Sequence, residues 1–77
     1  MVTSLRKPVN IVFTDHAKER MEKRTISEDE VLSAIKYPEK TEKIEGIYYA
    51  YKKLDRFILK VVYTRENYIK VLTVHPL

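Results

Sequence analysis

His16, Arg20 and Arg24 stand four residues apart in "FTDHAKERMEKR", at positions 13–24. At 100° per residue they drift along the border of an apolar stripe made by Ala17 and Met21, so all three can face one ligand. A line of this kind beside a sheet edge can meet a second histidine, His75, near the end of the last strand. Four groups able to donate to phosphate then converge. Metal-free cleavage of RNA needs a base for the ribose 2′-hydroxyl, cations for the charge developing on phosphorus, and an acid for the leaving oxygen. His16 or His75 can serve as base or acid, with Arg20 and Arg24 as phosphate clamps. The plainer alternative is a solvated basic helix face, with His16 merely capping or packing.

A second set of residues could hold a nucleic-acid strand. Arg56, Lys60, Arg65 and Lys70 supply cations, and Tyr68, with Tyr48 and Tyr63 nearby, supplies faces on which bases stack. Against this, tyrosines in a small sheet mostly fill gaps in the core, a reading that suits Tyr49, Tyr51 and Tyr63 best.

Composition removes several other chemistries. Cysteine is absent, which excludes disulfides, thiolate nucleophiles and cysteine metal sites. Two histidines without a carboxylate pattern do not make a zinc site, so no metal is expected. The single glycine precludes a glycine-rich phosphate loop, and no cofactor is expected. Fifteen Lys and Arg against 11 Asp and Glu give a net charge of +4, which favours a polyanion such as RNA or an acidic partner protein. No apolar run is long enough for a signal peptide or a membrane span, so no membrane partner is expected and the chain is read as cytoplasmic.

The elements that must position these residues can be read in order. A chain of 77 residues makes one domain over 1–77, with 1–8 a flexible N-terminal segment. "VNIVFT" (9–14) suits a short strand after Pro8, and Thr14 or Asp15 can cap a helix running to Arg24. Ser27 with Glu30 forms a capping box that starts a second helix at Glu28, which Pro38 ends. The stretch 42–54 reads as one strand with Gly46 at a bulge or bend, followed by strands 56–64 and 68–76 joined by short turns. The expected fold is α+β in the order β-α-α-β-β-β, a helical hairpin on one face of a small antiparallel sheet. Strict alternation puts Lys60 and Lys70 on the open face and His75 on the rim of the helix-covered face.

The stretch "HAKERMEKRTISEDEVLSAI", the following proline, and the closing "VLTVHP" resemble the domain-of-unknown-function family 4258 from about Ile11 to Pro76. That family's pattern is a histidine with two spaced arginines, an I-S-x-x-E-V helix start and a final strand ending in threonine and an aromatic or histidine. Its residues fall on His16, Arg20, Arg24, Thr73 and His75. Where the family usually has a small residue after the second arginine, this chain has Thr25. The family's element order is similar to that of RelE and BrnT toxins, small basic proteins that cut RNA and are held inactive by an antitoxin. The resemblance implies a RelE-like fold, a metal-independent endoribonuclease and a cognate antitoxin. The competing expectations are a non-catalytic basic module that binds nucleic acid or an acidic partner, and a protein that forms a homodimer through an exposed strand or apolar face.

Overall fold

The computed structural model describes residues 10–77; the expected flexible segment 1–8 and the first residue of the expected strand 9–14 lie outside them. The elements are β1 (Ile11–Phe13), α1 (Asp15–Arg24), α2 (Glu28–Lys36), β2 (Lys40–Ile44), β3 (Ile47–Lys53), β4 (Ile58–Arg65) and β5 (Ile69–Pro76).

Local chemistry sets the helical hairpin. The Thr14 hydroxyl accepts the Ala17 amide at 3.0 Å and donates to the Leu72 carbonyl at 2.9 Å, so one side chain both starts α1 and ties it to β5. The α2 capping box is complete, with Ser27 and Glu30 each bonding the other's backbone amide at 3.1 Å. Between the helices Thr25 adopts a left-handed conformation, φ 56° and ψ 49°. A small residue fits that position better because it carries less bulk at Cβ.

The α+β class holds, with both helices against one face of the sheet. Ala17, Met21, Ile26, Val31 and Ala34 meet Ala50, Leu59, Val61, Tyr63, Val71 and Val74 in a single core. The sheet differs from expectation in three respects. It has five strands in the order β1-β5-β4-β3-β2, and β1 runs parallel to β5 while the remaining pairs are antiparallel. The extra strand arises because the expected single strand 42–54 is instead part of a hairpin, β2 with β3. Glu45 (φ 49°) and Gly46 (φ 82°) form its two-residue turn, whose twist matches that of the strands.

The third difference bears directly on the site. Val62 opposes Thr73 while Tyr63 opposes Val71, so Leu72 is an extra residue in β5. Beyond this bulge the alternation reverses. Val74 turns to the helices and is fully buried, whereas His75 lies opposite Lys60 on the other face. The expected placement of His75 on the helix-covered face is therefore corrected by one inserted residue.

Candidate phosphate site

Strand pairing builds a row across the face away from the helices: Lys40 opposes Tyr51, Tyr51 opposes Lys60, and Lys60 opposes His75. The Lys60 ammonium lies 5.3 Å from the centre of the Tyr49 ring and 5.9 Å from that of Tyr51. Such contacts hold the cation over aromatic faces while leaving it available to an anion.

Arg20 extends the row beyond the sheet. β1 covers only Ile69–Val71 of β5, so the later carbonyls of that edge need other donors. Arg20 Nε–H donates to the Val74 carbonyl at 2.9 Å, and Arg20 Nη2 lies 3.2 Å from His75 Nδ1. Guanidinium only donates, so Nδ1 is the acceptor and the neutral ring carries its proton on Nε2. Burial first, then the charges of Arg20, Lys60 and His16, hold the His75 pKa below its usual 6.5. The ring is thus kept neutral, presenting an N–H rather than a free basic nitrogen. Arg20 retains further N–H groups beside it, so the pair is a set of fixed donors suited to an anion.

The other expected site residues separate. His16 is exposed on the first turn of α1, near enough for its charge to act on His75. Arg24 is exposed in the last turn of α1 and makes no hydrogen bond or ion pair among the described residues. Arg56 is committed on the helix side: it bonds both Glu30 carboxylate oxygens, at 3.0 and 2.8 Å, and the Thr25 carbonyl at 3.4 Å. Lys70 opposes Thr64, and exposed Tyr68 and Arg65 flank the β4–β5 turn. Lys70 and His75 are five positions apart along β5, or about 16 Å. Tyr48 stacks on Tyr63 in the helix-side core, ring centres 5.1 Å apart. Both are thereby withdrawn from the open face.

Tyr49 and Tyr51, read from the sequence as core residues, instead line the row; their cross-strand position opposite Val62 and Lys60 is the signal that only pairing supplies. Thr73 Oγ1 is buried without a hydrogen-bond partner. On the opposite flank of α1 a groove of about 520 Å³ has Phe13, Met21 and Ile26 in its lining, with four carboxylates, Asp15, Glu19, Glu22 and Glu28, and one cation, Lys18, around them. Its carboxylates disfavour an anion, so basic and acidic surfaces are segregated on the two flanks of one helix. Among the described residues, no three His, Asp or Glu side chains gather as a metal site would require, and no helix is long and apolar enough to cross a membrane.

Residues 13–76 match the family model described as "Domain of unknown function (DUF4258)". Neither the curated proteins nor the solved structures contain a match to this chain.

Proposed function

The chain belongs to the DUF4258 family, and we propose that it acts on RNA as a metal-independent endoribonuclease of the RelE and BrnT toxin kind, with Arg20 and His75 as its phosphate clamp. The observation that carries this reading is the row Arg20–His75–Lys60–Tyr51, in which donors, a cation and an aromatic face follow one another across adjacent strands. Neighbouring strands lie about 4.8 Å apart, so the row spans more than one nucleotide. In this reading the free N–H groups of Arg20 and the His75 Nε2–H hold phosphate oxygens, while exposed His16 accepts the 2′-hydroxyl proton and returns it to the leaving 5′-oxygen. A cytoplasmic site of action and an acidic antitoxin covering the basic row belong to the same reading.

One observation favours a second reading, a basic module that binds RNA without cutting it. Arg20 occupies His75 Nδ1 and its charge disfavours imidazolium, so His75 is a donor rather than a proton carrier, leaving His16 alone for two proton transfers.

Incubation of labelled RNA with the protein in excess chelator separates the two. Cleavage that falls about 100-fold in both His16→Ala and Arg20→Ala supports the nuclease. Binding without cleavage, weakened by Arg20→Ala and only slightly by His16→Ala, supports the binding module. Absence of both binding and cleavage overturns both.

A further inference from the structure

We propose that β2 is a self-pairing edge through which two copies of this chain join their sheets, antiparallel about a two-fold axis at Thr41. The argument is independent of the RNA reading.

The hydrogen-bonding phase of β2 follows from its turn. A two-residue turn at Glu45–Gly46 makes Ile44 and Ile47 a hydrogen-bonded pair, so Glu42 and Lys40 also spend their backbone groups on β3. The far side of β3 agrees. The Leu54 amide donates to the Phe57 carbonyl at 2.8 Å, which commits Ala50 and Tyr48 to β4 and leaves Tyr49 and Tyr51 for β2. Thr41 and Lys43 therefore point their N–H and C=O groups outward, and all of β2 is exposed.

The opposite sheet edge is not equivalent. β1 is three residues long, and past it the Val71, Leu72 and Val74 carbonyls are bonded by Thr14 and Arg20. The β2 edge is thus the longer unsatisfied template for strand addition.

Charge selects the partner and the register. A two-fold axis perpendicular to a pair of antiparallel strands places one residue opposite its own copy. At Glu42 or Lys43 this sets like charges face to face. At Thr41 it pairs two threonines whose outward groups exchange hydrogen bonds, and it sets Lys40 opposite Glu42 of the second copy, twice. Both side chains lie on the row-bearing face and are well exposed, 64 % and 44 %, and already meet within the chain at 3.4 Å. Lysines on an edge strand ordinarily deter pairing; here the alternation with glutamate makes the edge complementary to itself. The product is a ten-stranded sheet with both rows on one continuous face.

The test is sedimentation velocity of the full chain from micromolar to millimolar concentration, with three substitutions at the edge. The wild type should show a reversible monomer–dimer equilibrium. K40E or E42K alone should weaken it about tenfold, because two attractions become two repulsions, and the exchange K40E/E42K should restore it. T41P removes an outward amide that β3 does not use, so it should leave a folded monomer at all concentrations. A wild type that stays monomeric at millimolar concentration overturns the proposal, as does a dimer indifferent to the charge reversals. Should T41P fail to fold, the charge exchange decides alone.

Discussion

In the proposed phosphate clamp the central contact is the 3.2 Å approach of Arg20 Nη2 to His75 Nδ1. It fixes a tautomer and adds to the burial that holds the His75 pKa down, and both consequences are measurable. In an NMR titration His75 should titrate below 6.5 in the free protein, and Arg20→Ala should move it back toward that value. The stability consequence has a definite sign. Between the lowered folded pKa and the unfolded value the unfolded chain binds more protons. The contribution is therefore complete above about pH 6.5 and is lost as pH falls through the folded pKa. Thermal unfolding across that window should show the loss, and His75→Asn should flatten it. Thr73 offers a contrast: its Oγ1 is buried and unpaired, so Thr73→Val should stabilise the fold by about 1 kcal/mol in denaturant unfolding.

At the scale of elements, both helices and their caps were legible because the signals are local: Thr14, the Ser27/Glu30 box and Pro38 each act within one turn. The bulge at Leu72 was not. "VLTV" offers a valine on either phase, and only pairing with β4 shows that Val71 and Val74 share a face. The β2–β3 hairpin was hidden for a related reason, since Glu-Gly is a weaker turn signal than Asn-Gly or Asp-Gly. These two features decide where His75 and the tyrosines sit. The meeting of Arg20 with His75 could be read in advance, whereas the separation of His16 and Arg24 from it and the row to Lys60 and Tyr51 could not. Thr25 gives this scale its own test. It is left-handed at φ 56°, a conformation that a β-branched side chain resists. Thr25→Gly should raise stability by about 0.5–1 kcal/mol, read as a rise of a few degrees in Tm.

For the whole molecule, the sheet carries its helices on one face and an ordered basic and aromatic row on the other, with acidic residues gathered on the far flank of α1. Such segregation steers a polyanion to one side. Lys60→Ala should weaken RNA binding and lower the slope of log affinity against log salt by about 1, whereas Arg56→Ala, which breaks a Glu30 ion pair on the helix side, should leave that slope unchanged. The central claim is that Arg20 and His75 receive the phosphate. Its most direct test is an NMR titration of the labelled protein with a short RNA, following the Arg20 Nε–H and His75 ring signals. Saturable shifts at both, with the His75 pKa rising in the complex, are the predicted result. RNA that shifts only Lys70, Tyr68 and their neighbours, or nothing at all, would contradict it.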